Sequence, residues 1–425
     1  MNASLPPPIR PMHVLISCVG SAGDVHPFLA IATALKRRGH AVELLTSPYF
    51  KARIEAAGVP FVPIGTSTDY ERGVADPQIW HGLRGFSAMW RAMKPTLRDA
   101  YEQLIARATP DSVLVGSSLA WSSRCAQETL LLRGATVHLA PSLMFSALDP
   151  AVFPGFPWLR RLPAWCVRSI LRVSDRWLLD GAVAADLNAF RAQVGLGPVR
   201  RVVSAWQNSP DLVINAFPSW FAAPQSDWPA QSVTADFPRW HADDDRGVEP
   251  ALAAFLAAGP APVGITPGSA MAHARPWFAR SLAACAALGL RAVVITPYRD
   301  QLPDALPAWV RHVRYVPFDR LLPRLRAFVH HGGVGTSAQC LWAGIAQIVT
   351  PFAHDQFDNA ARLERLGVAR QLRHSASARG WRHALTHLDD ERLSQACAHW
   401  SRVCRDSTDG AERIAVQIES LRAPD

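Results

Sequence analysis

The sequence predicts an α/β fold made of two similar-sized halves, each built on a parallel sheet. Three observations predict it. Short apolar runs of strand length alternate with longer amphipathic stretches from Met12 onward, the pattern of strand–helix–strand units. The alternation breaks once, in a stretch rich in proline, tryptophan and aspartate between Phe217 and Glu249, and then restarts. The 425 residues are enough for two or three domains of about 150 residues each.

The elements follow in order. Val14–Val19 reads as a buried strand, followed by the turn Gly20-Ser21-Ala22-Gly23. A helix is expected to start near Pro27, since proline favours the first helical position. Phe28, Ile31, Ala32 and Leu35 then share one face, and Gly39 stops the helix. Further strands are expected at Ala41–Thr46, Phe61–Ile64, Ser112–Gly116, Thr136–Ala140 and Leu212–Asn215. The second half gives Val263–Thr266, Ala292–Thr296, His312–Val316, Ala327–His330 and Gln347–Thr350. The expected division is a first domain over 12–240, a second over 250–385, and terminal helices over 386–425. In two-domain folds such tails often pack back on the first domain.

Composition narrows the class. Hydrophobic residues make up 49% of the chain, enough for buried cores. No apolar run reaches the ~20 residues of a membrane span, and MNASLPPPIRP reads as a flexible lead-in without the apolar centre of an export signal. Seven cysteines form no CxxC pair, so a reduced cytoplasmic protein without a structural metal is expected. The net charge is +9, and lysine occurs only at Lys36, Lys51 and Lys94. The arginines are scattered, which argues against a nucleic-acid footprint and leaves open an attraction to anionic substrates or lipid headgroups.

Four loops carry candidate chemistry. Gly20-Ser21-Ala22-Gly23-Asp24-Val25-His26-Pro27 lies at the carboxyl edge of a parallel sheet, where such sheets place ligands. It is not a GxGxxG dinucleotide fingerprint. Asp24 reads as a helix cap or as a general base, with His26 as a possible sharer of that role. His330-His331-Gly332-Gly333-Val334-Gly335-Thr336 joins a strand to a helix. Its free N–H groups, the helix dipole and a histidine suit a diphosphate. Asp355 and Gln356, in Pro351–Asn359, offer neighbouring groups for vicinal sugar hydroxyls. Thr266-Pro267-Gly268-Ser269 reads as a second phosphate-approaching turn. Phe153–Leu179 holds Trp158, Trp165 and Trp177 with Arg168, Arg172 and Arg176 at four-residue spacing. It is either a surface helix whose aromatics reach the core or an acceptor lid that touches a membrane.

The run FVHHGGVGTSAQCLWAGIAQIVTPFAHDQFDNA resembles the donor signature of the nucleotide-sugar glycosyltransferases of the plant-metabolite and antibiotic type. Within them, GSAGDVHPFLAIATALKRRGH, DPQIWHGL, SPDLVINAFPSWFAAPQSDWP and AHDQFDNAARLERLG are similar to segments of the rhamnosyltransferases of rhamnolipid synthesis. The resemblance covers roughly Met12 to Gly367. It implies a GT-B fold, with the acceptor in the first domain, the donor in the second and chemistry between them. Asp24 falls on the presumed base. A supporting aspartate of plant members is missing, because Gly116-Ser117-Ser118 stands there. His331 meets the diphosphate in an alignment on plant members, His330 in one on the rhamnolipid enzymes. The resemblance also puts Ser269, Gly333, Gly335 and Thr336 at the phosphates, Tyr315 and Val316 at the base, and Asp355 with Gln356 on the sugar. Ser21, Trp158 and Trp165 are expected at the acceptor.

The expected reaction is therefore inverting, metal-independent transfer from a nucleotide sugar, with no cofactor. The leading donor is dTDP-L-rhamnose and the leading acceptor a hydroxy-fatty-acid dimer, with peripheral contact on the inner membrane. The alternative is UDP-glucose or another dTDP-sugar on a sterol, polyketide or flavonoid. A silent activator homologue and a nucleotide-sugar epimerase fit the residues less well. Asp243-Asp244-Asp245 imitates a metal-binding DxD but follows no strand, and reads as a solvated turn.

Overall fold

The computed structural model describes residues 11–82, 84–240 and 247–422. The aspartate run Asp243-Asp244-Asp245 and the lead-in before Pro11 lie outside the described residues, as does Leu83.

Two parallel sheets organise the chain. The first contains β1 (His13–Ser17), β2 (Ala41–Thr46), β3 (Phe61–Pro63), β4 (Ser112–Ser117), β5 (Gly134–His138), β6 (Leu212–Asn215) and β7 (Ser232–Thr234), in the order β3-β2-β1-β4-β5-β6-β7. The second contains β8 (Val263–Thr266), β9 (Ala292–Ile295), β10 (Val310–Val313), β11 (Ala327–His330), β12 (Gln347–Val349) and β13 (Ala369–Gln371), in the order β10-β9-β8-β11-β12-β13. Every pairing is parallel. Helices cover both faces, so the central strands are buried throughout: Leu15, Ile16, Val263 and Val329 are fully enclosed.

Strand order reverses between β1 and β4 in the first sheet and between β8 and β11 in the second. Ligands bind outside the carboxyl ends of strands at such switch points. The loops that leave β1, β8 and β11 are the three glycine-bearing turns at Gly20, Gly268 and Gly332.

Three expectations need correction. The first helix runs Ala22–Arg37, not from Pro27. Ser21 caps it, its hydroxyl accepting from Gly23 N, and Pro27 sits inside it. Proline is tolerated there because the bond it lacks is a single one, to Gly23 O near the helix start. The stretch read as a linker from Phe217 contains β7, so the first sheet has seven strands. The strand expected at His312–Val316 is β10, Val310–Val313, and Tyr315 lies in the loop beyond it.

The terminal helices divide between the halves. Glu391–Asp406 packs on Val334–Ala343 in the second half. Gly410–Glu419 returns to the first, where Ile414, Ala415 and Ile418 join its core. Arg38 holds Glu419 through two hydrogen bonds of 2.8 and 2.7 Å, and His40 adds a third at 2.7 Å. The two halves also meet through a buried ion cluster. Arg362 lies 2.7 Å from Asp358 and 2.9 Å from Asp149, and Val152 N donates to Asp358 at 3.1 Å.

Candidate active site

The two cleft-facing turns approach closely. A Cβ placed on Gly335, in the first turn of Val334–Ala343, would lie 3.9 Å from the carbonyl oxygen of Gly23. That oxygen has no helical donor, because Pro27 supplies no N–H. The start of one helix thus stands opposite the start of the other, about 300 residues away in sequence.

On the first side, Asp24 is the third residue of its helix. Its Oδ2 accepts from Ser21 N at 2.8 Å and Ser21 Oγ at 3.1 Å, a capping box. Its Oδ1 makes no hydrogen bond among the described residues. Burial raises the Asp24 carboxyl above its ordinary value, and the Ser21 bonds oppose this. Cap and candidate base are therefore one residue, with one oxygen for each task. Ser21, expected at the acceptor, is spent on the cap. Gly20 makes the arrangement possible: at φ 135° a Cβ there would strike Asp24 Oδ2 at 2.3 Å. The loop is tied down by Val19 N donating to Ser117 Oγ at 3.3 Å. So the serine run that lacks a carboxylate has a positioning task instead.

His26 does not share the proton-accepting role in this arrangement. Its Nε2 accepts from Arg53 Nη1 at 2.5 Å. Burial first, and the Arg53 charge second, push it down to about 3, so it is neutral. Arg53, missed by sequence reasoning, comes from the short helix Lys51–Ala56. Its guanidinium also lies 4.6 Å from the centre of the Tyr315 ring in the second half.

On the second side the two histidines separate. His330, the last residue of β11, is fully buried; its Nε2 meets Gln347 Oε1 at 3.0 Å and its Nδ1 accepts from Gly332 N at 3.1 Å. Both ring nitrogens are occupied, and burial pushes it down to about 4. His331 points the other way, between the turns at Gly268 and Gly333. A Cβ on Gly268, whose φ is 95°, would meet its Cε1 at 2.8 Å, and one on Gly333 its Nε2 at 2.5 Å. Only glycine lets both backbones come this near. Among the described residues its buried Nδ1 has no partner. Burial and the neighbouring His330 push it down to about 3, so it is a neutral ring rather than a cation.

Gly333 precedes the helix Val334–Ala343, and no side chain caps it. The first intrahelical bond is Ser337 N to Gly333 O at 3.0 Å. The N–H groups of Val334, Gly335 and Thr336 thus carry the positive end of the dipole into the cleft. Ser269 is exposed nearby, beyond Gly268.

Asp355 precedes the helix Gln356–Arg365. Its Oδ2 accepts from Asn359 Nδ2 at 2.7 Å, and the same amide reaches Gly332 O at 2.9 Å. Asn359 therefore links the sugar-side loop to the glycine turn. Burial, and then the charge of Asp24, push Asp355 up to about 7. Gln356 is turned inward: its Oε1 accepts from Phe352 N at 2.8 Å and Ala353 N at 3.1 Å, leaving only its Nε2 for a ligand. Val316 is only 4% exposed and packs in the core with Leu321 and Phe328, so its side chain is withdrawn from any base, while Tyr315 is half exposed.

Trp158, Trp165 and Trp177 join none of the hydrophobic cores. They are 45%, 69% and 72% exposed. Among the described residues no group of three or more His, Cys, Asp or Glu is placed to hold a metal ion.

Similarity to known proteins agrees with this geometry. Residues 14–144 match the glycosyltransferase family 28 N-terminal domain, and residues 280–407 the C-terminal domain of erythromycin biosynthesis protein CIII-like proteins. The O-mycaminosyltylonolide 6-deoxyallosyltransferase of Streptomyces fradiae is 30% identical over 379 residues, 84% of this chain and 85% of that one. The vancomycin aglycone glucosyltransferase of Amycolatopsis orientalis is 29% identical over 370 residues, again 84% and 85%. In fold, the glycotransferase of kitacinnamycin superposes with a TM-score of 0.72 at 22% identity, over 97% of this chain and 100% of that one. A spinosyn rhamnosyltransferase complexed with thymidine diphosphate gives 0.66 at 18%, over 96% and 100%. The chain belongs to the GT-B nucleotide-sugar glycosyltransferases, the family that includes the deoxyallosyltransferase of Streptomyces fradiae.

Proposed function

We propose that this glycosyltransferase inverts the anomeric centre in a single displacement, moving a 6-deoxyhexose from a dTDP-sugar to a hydroxyl of a polyketide-type acceptor. The observation that carries the mechanism is the approach of Gly23 to Gly335. Beside that approach stand Asp24, whose Oδ1 makes no hydrogen bond among the described residues, and a helix N-terminus that no side chain caps. Asp24 takes the acceptor hydroxyl proton as that oxygen bonds to the anomeric carbon. The bond from that carbon to the diphosphate breaks, and its electron pair leaves on the phosphate. A positioned base contributes roughly 10²–10⁴-fold. His331, the N–H groups of Gly335 and Thr336, and the Ser269 turn hold the developing charge. Asp355 and the Gln356 amide face the sugar hydroxyls, and Tyr315 faces the base. His26 acts through Arg53 as a positioning residue.

The donor and acceptor classes rest on the relatives. Two of them are named for 6-deoxysugars, deoxyallose and rhamnose, and two for antibiotic acceptors, a tylonolide and the vancomycin aglycone. UDP-glucose as donor is the variant of the same reading. A second reading, dTDP-L-rhamnose transferred to a 3-hydroxyalkanoyloxyalkanoic acid, is favoured by one observation, the exposed tryptophans beside unpaired arginines at 156–178. The deciding experiment incubates purified protein with dTDP-L-rhamnose or UDP-glucose against macrolide aglycones, phenolics, sterols and hydroxy-fatty-acid dimers. Product mass is the readout. A macrolide glycoside supports the first reading, a mono-rhamnolipid the second, and donor hydrolysis alone refutes both.

A further inference from the structure

The segment from Phe156 to Leu178 departs from the way this chain handles its other apolar residues. A helical turn at Pro157–Arg161 leads into the helix Ala164–Ser174, which continues through a wide turn at Asp175–Leu179 into Asp180–Gln193. Its inner side is satisfied. Val167 and Leu159 are buried with Ala147, and Phe153, Leu162 and Ile170 pack around them. Its outer side is a ridge: Trp165, Arg168, Arg172 and Arg176 lie three or four apart, on one helix face, and Trp177 follows Arg176 in the wide turn; all five are exposed. Trp158 stands exposed just before it.

Single exposed apolar residues are ordinary. Three exposed tryptophans beside exposed arginines in one short segment are not. Among the described residues Arg168, Arg172 and Arg176 have no carboxylate partner, whereas Arg160 beside them is held 2.8 Å from Asp149. The only acid between 156 and 179 is Asp175, which is buried against Arg201 and Ser204. The ridge therefore presents indole rings and guanidinium groups, that of Arg176 lying 5.5 Å from the centre of the Trp177 ring, with no negative charge among them.

We propose that this ridge docks the enzyme, lying flat, on an anionic lipid surface. Tryptophan favours the headgroup level, where its ring is half in oil and half in water. Arginine pairs with phosphate and reaches outward from an apolar stem. Charge decides against a second copy as the occupant, since a symmetric contact would set these arginines against their own equivalents. No helix among the described residues is long and apolar enough to cross a membrane, so the contact is peripheral. The ridge follows the segment that reaches the second half where Asp149 meets Arg362, on the helix Gln356–Arg365 that begins after Asp355. Docking would bring the cleft to where a lipid-dissolved acceptor is concentrated, whichever acceptor class proves correct.

The test is co-sedimentation of the intact protein with phosphatidylcholine vesicles, with and without about one-third phosphatidylglycerol. Binding should be at least about tenfold stronger to the anionic vesicles and should fall as salt screens the charges. The R168Q/R172Q/R176Q variant should lose that preference. A Trp165→Ser/Trp177→Ser variant should lose binding at both low and high salt. Unchanged melting temperatures exclude unfolding as the cause. Equal sedimentation with neutral and anionic vesicles, no sedimentation with either, or a dimer in light scattering that the same substitutions dissolve would each overturn the proposal.

Discussion

Asp24 and Asp355 come from opposite halves of the chain, yet the charge of the first helps to hold the carboxyl of the second up at about 7. Burial is the larger cause, and the Asn359 hydrogen bond only partly offsets it. Two carboxylates in one crevice titrate as a pair. The crevice thus keeps a destabilising arrangement of two acids, one from each half.

That arrangement has a signed consequence for stability. A carboxyl raised by folding stabilises the fold while it is protonated. The contribution is intact below the unfolded value, about 3.9, and is lost as pH rises through about 7. Asp355→Asn, which still lets its carbonyl accept from Asn359, should therefore melt higher than the parent at pH 8. The difference should shrink towards pH 4. Melting curves across that range check it, and a constant difference would show that Asp355 carries no such burden.

The same proximity shapes the reaction. If Asp24 is the base, Asp24→Asn should lower turnover by roughly 10²–10⁴-fold while calorimetry shows donor affinity kept. The acid limb of kcat/KM should lie above the ordinary carboxylate range, because burial raises Asp24. Removing the charge of Asp355 should move that limb to lower pH. His26→Asn should leave the limb in place, since His26 is neutral with its Nε2 given to Arg53. A limb that follows His26 instead would transfer the base role to it.

The adjacent histidines should fail in different ways. His331→Ala removes a ring that lies against both glycine turns and should weaken donor binding about 10- to 100-fold, the scale of a hydrogen bond to a charged group. His330→Ala leaves Gln347 and Gly332 N unpaired in the interior and should cost about 1–3 kcal/mol of stability. Titration calorimetry and chemical denaturation separate the two. The reverse pattern would make His330 the donor ligand.

Adjacent residues at a strand end point to opposite sides, so sequence could name the pair but not choose between them. The choice needed Gln347, which reaches His330 only once β12 lies beside β11. Strands such as β2, β6, β8 and β11 were legible to the residue because each is a short, mostly apolar run, β2 carrying a single charge at Glu43. The edge strands β7 and β13 are three residues each, too short for a period. The first helix was misread because Pro27 outweighed the Ser21–Asp24 spacing, which is itself a capping signature. Arg53 leaves no trace in spacing, since it meets His26 only once the Lys51–Ala56 helix packs beside the first helix, and Tyr315 only through packing of the two halves. The outward turn of Trp165 and Trp177 was equally hidden, because composition does not say which side of a helix finds a neighbour.

The ion cluster between the halves offers the last test. Arg362 is 3% exposed and holds Asp358, whose side chain is fully buried, at 2.7 Å. Removing one partner of a buried pair strands the other charge, which typically costs about 3–5 kcal/mol. Arg362→Met should lose about that much in denaturant unfolding. Asp358→Asn added to it should recover a large part, because the amide oxygen still accepts from Val152 N and no charge is left uncompensated. The cluster fastens the segment 149–152 to the helix that begins after Asp355. The single variant should therefore also raise KM for donor and acceptor together, and the double variant should restore stability more fully than KM. Equal recovery of both would mean that the cluster serves the fold alone.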